Sequence, residues 1–446
     1  MKIVIAGAGA VGTHLAKMFS HQDHDIVLID SDEEKLKLID SHLDLLTIEG
    51  SCSSIKDLKK ANAKNADLFI AVTESEETNI TSSLLAKKLG SKRTIARINN
   101  QEYLIPENKE FLKSLGIDEF VYPERLAAKE VINYLSRSGT RQMYEFSGGK
   151  LVLYGIKISS KSVIMDKTLS EVSQLTGDND YRAVAIKRDG ETIIPRGHNR
   201  FMRGDLIFVI SKPESIEKVM DLAGKRKYKI KKAMILGGSR IGYKTASELE
   251  HTLNLKLIEI DKNKSIKLAD SLERALVING DGRDLDLLRE EGIQKMDAFV
   301  AVTGNSETNI LACLLASKMG VKRTIAEVEN IDYIELADSI GVGAMINKKL
   351  LAASYIYRFT MDADVQHCKW LTVLDAEVVE LVAQANSKIT LDKLKDIDFP
   401  DDANIGGIIR GDEGLIAMGD TQIQEGDKVV VFTLPSAIKK VEKIFK

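Results

Sequence analysis

The 446-residue sequence predicts an α/β architecture, with two parallel-sheet domains each followed by a small α+β domain. Three observations carry that prediction. An apolar run, "KIVIAG", leads directly into a G-x-G-x-x-G turn made by Gly7, Gly9 and Gly12. An altered copy of the block returns 230 positions later, so that Gly7, Gly12, Gly50 and Thr73 correspond to Gly237, Gly242, Gly280 and Thr303. A smaller strand–turn–strand unit also occurs twice, once after each copy. The parallel halves are therefore expected to be Rossmann-like.

In the first half, "KIVIAG" reads as a central parallel strand. Gly7 permits a tight turn, Gly9 lets the backbone approach a pyrophosphate, and Gly12 lets the next helix pack on the strand. The amides of Gly7, Ala8, Gly9, Ala10, Val11 and Gly12 form the candidate phosphate cradle at a helix N-terminus. The next strand, "DIVLID", ends in Asp30, a candidate acceptor for ribose hydroxyls. A carboxylate there repels a 2′-phosphate, so NAD or ATP fits better than NADP. Asp32 reads as the N-cap of the helix "EEKLKLI". The strands "LDLLTIEG", "ADLFIAVT" and "RTIARI" follow, and their C-terminal ends bring Ser51, Cys52, Thr73, Glu74 and Arg97 to the ligand crevice. Arg97 reads either as a phosphate partner or as half of a surface salt bridge. Cys52 reads as a small turn residue rather than a reactive thiol.

The second half keeps Gly237, Gly242 and Thr303, has Gly238 and Ile241 where the first has Ala8 and Val11, and replaces the middle glycine with Ser239. Glu259 stands in for Asp30, Asp261 for the cap Asp32, and Glu327 for Arg97. Arg240, inside the turn, is a candidate replacement cation, and Asp281 follows Gly280 where the first half has Ser51. The second site is expected to bind more weakly or to prefer a different nucleotide.

A helix trails each half. Ala127, Val131, Tyr134 and Leu135 mark one buried face, and Leu351, Tyr355 and Phe359 mark the other. In the small units, "AIKRDGETIIP" and "GIIRGDEGLIA" read as hairpins. "RGDLIFVI" and "EGDKVVVF" read as Gly-Asp turns feeding buried strands, each followed by a Pro-initiated helix. Six of the eight residues from Lys225 to Lys232 are basic, and this run reads as a solvated linker. The expected domains are 1–138, 139–224, 225–362 and 363–446.

Composition narrows the function classes. There are 63 basic and 66 acidic residues, which gives no electrostatic case for nucleic-acid binding. Cys52, Cys313 and Cys368 are too far apart for a disulfide framework or a metal spacing, which fits a reducing compartment. No run reaches the ~18 apolar residues of a membrane span, and the N-terminus reads as a buried strand rather than a signal peptide. The seven histidines are scattered, with His14 in the first helix and His21 just after it. The small modules are undersized for substrate domains, so a nicotinamide-dependent dehydrogenase explains less than a regulator does. A passive scaffold is the third reading, and the intact Gly7, Gly9, Gly12 and Asp30 oppose it.

"GAGAVG", "LID", "GSC", "AVTESEETN" and "KRTIAR", with "GGSRIG", "LIE", "GDGRD" and "AVTGNSETN" in the second half, carry a family resemblance over essentially the whole chain. Their order and duplication resemble the TrkA family of regulatory subunits of potassium-uptake systems, whose large units are similar to RCK domains. The resemblance implies RCK N and RCK C domains in alternation and a tetrameric ring at the inner face of the cell membrane, docked to a potassium-translocating partner. It implies NAD(H) or ATP/ADP as ligands, and dimer contacts through the helices beginning near Pro123 and Asn347. In some relatives the small modules bind cyclic di-AMP. Ser239 and the "EGSC" at residues 49–52 depart from the family pattern, which bears on the relative affinity of the two sites.

Overall fold

The computed structural model describes residues 1–20, 24–136, 142–158, 162–176, 180–224, 229–360, 365–371, 374 and 376–446. Residues 225–228 of the basic run, His21, and the junctions expected at 138/139, 224/225 and 362/363 fall wholly or partly outside them. By compactness the chain forms two units. One is Met1–Leu126 with Lys348–Met361, and the other is Ala127–Asn347 with Asp362–Lys446.

The first unit holds a six-stranded parallel sheet. Its elements are β1 (Lys2–Ala6), α1 (Ala10–Ser20), β2 (Asp25–Asp30), α2 (Glu33–Asp40), β3 (Leu46–Glu49), α3 (Ile55–Lys60), β4 (Leu68–Ala71), α4 (Glu76–Leu89), β5 (Arg93–Arg97), α5 (Pro106–Leu115), β6 (Glu119–Val121) and the start of α6 (Pro123–Ser136). The strand order β3-β2-β1-β4-β5-β6 is the doubly wound one, with its switch point between β1 and β4. Those two strands are buried over Ile3–Ala6 and Leu68–Ala71, as continuous apolar runs covered on both faces should be.

The second unit opens with the rest of α6 and a five-stranded antiparallel sheet. That sheet is built from β7 (Gln142–Phe146), β8 (Leu151–Lys157), α7 (Leu169–Thr176), β9 (Tyr181–Arg188), β10 (Glu191–Ile193), β11 (Leu206–Ser211) and α8 (Ile216–Leu222). The second parallel sheet follows: β12 (Lys232–Leu236), α9 (Arg240–Leu249), β13 (Asn254–Glu259), α10 (Lys262–Ser271), β14 (Leu276–Asn279), α11 (Leu285–Glu290), β15 (Ala298–Ala301), α12 (Ser306–Lys318), β16 (Arg323–Glu327), α13 (Asp332–Ser339) and β17 (Ala344–Ile346). Its order, β14-β13-β12-β15-β16-β17, repeats the first. After α14 (Lys348–Tyr357), which belongs to the first unit, come β18 (Val365–Leu371), β19 (Ala376–Val382), α15 (Lys388–Leu391), β20 (Ala403–Arg410), β21 (Glu413–Ile416), β22 (Lys428–Thr433) and α16 (Ile438–Phe445).

The two small sheets share one topology, β10-β9-β11-β8-β7 and β21-β20-β22-β19-β18. Their hairpins turn differently. Asp189 and Gly190 both have positive φ, the type I′ pattern, whereas Gly411 alone does in the second. The sheets pack into one core in which Phe208 and Ile210 meet Val430 and Phe432. A Cβ on Gly406 would lie 2.0 Å from Ile210 Cδ1, so any larger residue there would have to displace that core side chain.

The Gly-Asp turns have a structural purpose that the sequence pattern left open. Asp205 takes a two-pronged bond from Arg188 at 2.8 and 2.7 Å and a third from the Met202 amide at 2.8 Å. Asp427 does the same with Arg410, at 2.9 and 2.7 Å, and with the Gln424 amide. Both carboxylates are buried and each pins its turn to the hairpin. Asp205→Ala takes the carboxylate from a half-buried guanidinium, leaving it only the Arg200 carbonyl, and strands the Met202 amide. It should cost about 3–5 kcal/mol, read as a lowered unfolding midpoint in denaturant; a change below about 1 kcal/mol would show that water replaces the carboxylate.

The trailing helices divide the expectation made for them. Ala127, Val131, Tyr134 and Leu135 are all buried, and Arg323 lies over the Tyr134 ring at 6.0 Å. In α14 the buried residues are Leu350, Ala352, Ala353, Ser354, Ile356 and Tyr357, while the expected stripe of Leu351, Tyr355 and Phe359 is only half-buried. The reason is the partner. Tyr357 stacks on Phe19 of α1 at 5.8 Å, so the helix turns that side inward. Tyr355 and Phe359 flank the Arg358 guanidinium at 4.1 and 4.6 Å instead.

Candidate functional site

The first glycine turn holds two glycines that the fold demands and one that it does not. Gly7 sits at φ +112°, and a Cβ there would lie 2.9 Å from the Thr73 amide nitrogen. A Cβ on Gly12 would lie 1.9 Å from the Gly7 carbonyl oxygen. Both positions are closed to side chains by the protein itself. Gly9 is different, because nothing lies within 4 Å of its Cβ position. The fold itself does not need glycine there, and the open position leaves the backbone accessible from outside. Ala8 and Val11 are buried and Ala10 is exposed at the start of α1.

Asp30 ends β2 beside this turn. Its Oδ2 accepts from the Ala8 amide at 2.5 Å and its Oδ1 from the Asp32 amide at 2.9 Å. Each oxygen keeps a further lone pair. Asp32 caps α2 by accepting from the Lys35 amide, and Lys35 Nζ pairs with it at 3.2 Å. The Asp32 carboxyl is held below its usual range, first by that amide and then by the lysine.

Thr73 turns its hydroxyl inward. Its amide and Oγ1 both donate to Asn79 Oδ1, at 2.8 and 2.7 Å. Asn79 Nδ2 in turn donates to Thr73 O at 3.1 Å and to Arg97 O at 3.0 Å. This fully buried asparagine ties the end of β4 to the end of β5. Asn309 makes the same four bonds to Thr303 and Glu327. The asparagine of the duplicated "ETNI" block is the residue that sequence reasoning missed. Its presence in both halves, next to helix caps at Ser75 and Asn305, was the available signal.

Glu74 is exposed beside Thr73. Ser51 is exposed, and its amide donates to Asp57 Oδ2 at 3.1 Å. Cys52 is buried, with Sγ 3.5 Å from the Ile29 carbonyl oxygen. Burial first, and the Asp30 charge second, push its thiol up to about 12. At pH 8 it is therefore neutral, and iodoacetamide should label it only after unfolding; fast labelling of the folded chain would contradict this burial. Arg97 makes no ion pair among the described residues, and its Nε is buried without a hydrogen-bond partner. That leaves the guanidinium uncommitted at the crevice end of β5.

The second turn has the same skeleton and more internal bonding. Gly237 and Gly242 repeat the steric demands of Gly7 and Gly12. Ser239 turns its hydroxyl onto α9, where Oγ accepts from the Gly242 amide at 3.3 Å. Gly9 has no side chain to make such a cap. Glu259 is buried and accepts from the Gly238 amide at 2.9 Å, the Asp261 amide at 3.0 Å and Lys264 Nζ at 2.9 Å. Burial raises the Glu259 carboxyl, and these three donors outweigh it, so it lies below its usual value. Asp281 is clasped by Arg283, with Nη2 to Oδ2 at 2.6 Å. Arg240 is exposed, Ile241 is buried and Glu327 is buried where Arg97 is only half-buried.

Two doubly wound sheets, each with a glycine turn facing an acid at the end of the second strand, define a tandem Rossmann-type protein. The TrkA-N domain pattern matches residues 3–123 and 233–348, and the TrkA-C domain pattern matches 153–224 and 378–446. The Trk system potassium uptake protein TrkA homolog 1 of Methanosarcina mazei is 36% identical, with both chains covered completely. The Trk system potassium uptake protein TrkA of Haemophilus influenzae is 32% identical over 100% of this chain and 99% of its own. Among solved structures, the GsuK channel bound to NAD matches with a TM-score of 0.59 at 16% identity, covering 100% of this chain and 78% of that one. At that identity the likeness is one of fold. The chain belongs to the TrkA family.

Proposed function

We propose that this chain is a nucleotide-sensing cytoplasmic regulatory subunit that gates a membrane potassium-uptake system. The observation that carries the proposal is the first turn. Gly7 and Gly12 are closed to side chains by packing, whereas the space at Gly9 is open to the outside, next to a carboxylate with acceptor capacity to spare. Full-length relatives named as Trk potassium uptake proteins support the potassium side of the reading. The GsuK channel bound to NAD, which shares the fold, supports a nucleotide as the ligand class.

In this reading the amides of residues 7–12 would hold the phosphates, Asp30 the ribose hydroxyls and Arg97 a phosphate charge. Ser51, Cys52, Thr73 and Glu74 would line the same crevice. NAD(H) and ATP/ADP are the candidate ligands, and neither requires this chain to turn over a substrate. The turn at Gly237–Ile241 with Glu259, Asp281 and Thr303 would be the lesser site. The four segments 1–138, 139–224, 225–362 and 363–446 would act as RCK N and RCK C domains in a homotetrameric ring. The described residues contain no helix long and apolar enough to cross a membrane. A partner subunit would supply the pore, with the ring lying against the inner membrane face.

A nucleotide can bias such a ring only through its difference in affinity between two ring states. A coupling of about 1–3 kcal/mol is typical. The test is potassium flux into vesicles carrying the ring and its membrane partner. Added nucleotide should change the flux, and Asp30→Ala should remove the response. Flux indifferent to NADH, NAD, ATP and ADP would contradict gating.

A further inference from the structure

The two turns differ in what their ribose acid already holds. Asp30 accepts two backbone amides, one on each oxygen. Lys35, three residues past the cap Asp32, bonds to that cap and not to Asp30. Glu259 accepts the two equivalent amides, from Gly238 and Asp261, and a lysine as well. Lys264, three residues past the cap Asp261, places Nζ 2.9 Å from Glu259 Oε2. The lysines hold equivalent positions and choose different partners.

Side-chain length accounts for the choice. Glutamate reaches one methylene further than aspartate, toward the helix that carries the lysine. Room for it comes from Gly238, which replaces Ala8. A Cβ at 238 would lie 2.9 Å from Glu259 Oε2 and 2.3 Å from Leu268 Cδ1. Acceptor capacity then differs between the sites. Each carboxylate oxygen has about two lone pairs. Asp30 keeps one free on each oxygen, which suits the two hydroxyls of a cis-diol. On Glu259, Oε2 is filled by Gly238 and Lys264, leaving capacity on Oε1 alone.

We propose that Lys264 is a built-in competitor for the ribose acid of the second turn, so that a nucleotide binds there only by displacing its ammonium from Glu259. This rests on the nucleotide reading above. The ammonium makes a charge-assisted bond, which a neutral ribose hydroxyl replaces at a loss. Lys264 is itself about half exposed, so it can swing into water when displaced. Among the described residues the first turn has no such competitor, which makes it the high-affinity site of the chain.

The test is calorimetric titration of the full chain with NAD. Wild type should show a tight component and a second one at least tenfold weaker. Asp30→Ala should remove the tight component and leave the weak one. Lys264→Met, which keeps the aliphatic stem and drops the charge, should tighten the weak component about tenfold and leave the tight one unchanged. Lys264→Arg should keep the gap. Thermal melts of each variant separate these outcomes from a folding defect. Two equal sites in wild type, or a weak component indifferent to Lys264→Met in a folded chain, would overturn the competitor role. Absence of both components would overturn the nucleotide reading itself, and the Lys264 proposal with it.

Discussion

Gly9→Val is expected to leave the folded chain nearly as stable as wild type and to weaken nucleotide binding by a hundredfold or more. The space around the Gly9 Cβ is empty and its φ is not positive, so a Cβ there meets neither backbone nor side chain and brings no backbone strain. The cost to folding is confined to a poorer residue ahead of the first helix, about 1 kcal/mol. The isopropyl group, however, stands where a pyrophosphate would have to touch the backbone. Gly12→Ala makes the opposite pattern. Its single methyl would lie 1.9 Å from the Gly7 carbonyl oxygen, which cannot rotate away. The strand–helix packing has to open, at about 3 kcal/mol or more. Denaturant unfolding and nucleotide titration on both variants check the pair. Equal destabilisation by both, or unchanged binding in the valine variant, would remove the ligand-facing role assigned to Gly9.

The second large effect is expected at Asn79. Its side chain is fully buried and makes four hydrogen bonds that join Thr73 at the end of β4 to Arg97 at the end of β5. Asn79→Ala takes the partner from the Thr73 amide, the Thr73 carbonyl and the Arg97 carbonyl, all at part-buried strand ends. An orphaned buried group costs about 1–3 kcal/mol, so a total of about 3–5 kcal/mol is expected, at the upper end for a single substitution. Asn79→Asp keeps the acceptor and loses both amide donors, and should fall between alanine and wild type. Binding at the first turn should weaken as well, since both strand ends would shift. A loss below about 1 kcal/mol would mean that water substitutes for the amide.

Much of this was readable from residues alone, because the informative interactions are local. The glycine turn, the acid about 20 residues on and the 230-residue repeat are spacings along one chain. The caps are local too: Asp32 and Asp261 both accept from the amide three residues ahead, as their helix-start positions predict. What was missed is long-range. The inward face of α14 is set by Phe19, which lies more than 300 positions earlier, so its own periodicity pointed to the wrong stripe. Asp205 and Asp427 read as turn residues because their arginines lie 17 positions away, across a hairpin. The Lys264–Glu259 bond depends on one extra methylene and one missing Cβ, two substitutions that look independent until they are placed in space.

The central claim, that this chain is a nucleotide sensor with its principal site at the first turn, is met most directly by one titration. Purified full-length protein is titrated with NADH, NAD, ATP and ADP in a calorimeter, with wild type and Asp30→Ala side by side. Saturable binding of at least one of these without chemical conversion is expected, lost or strongly weakened in the variant while the protein stays folded. Binding that is indifferent to Asp30, or no binding by any of the four, would contradict it.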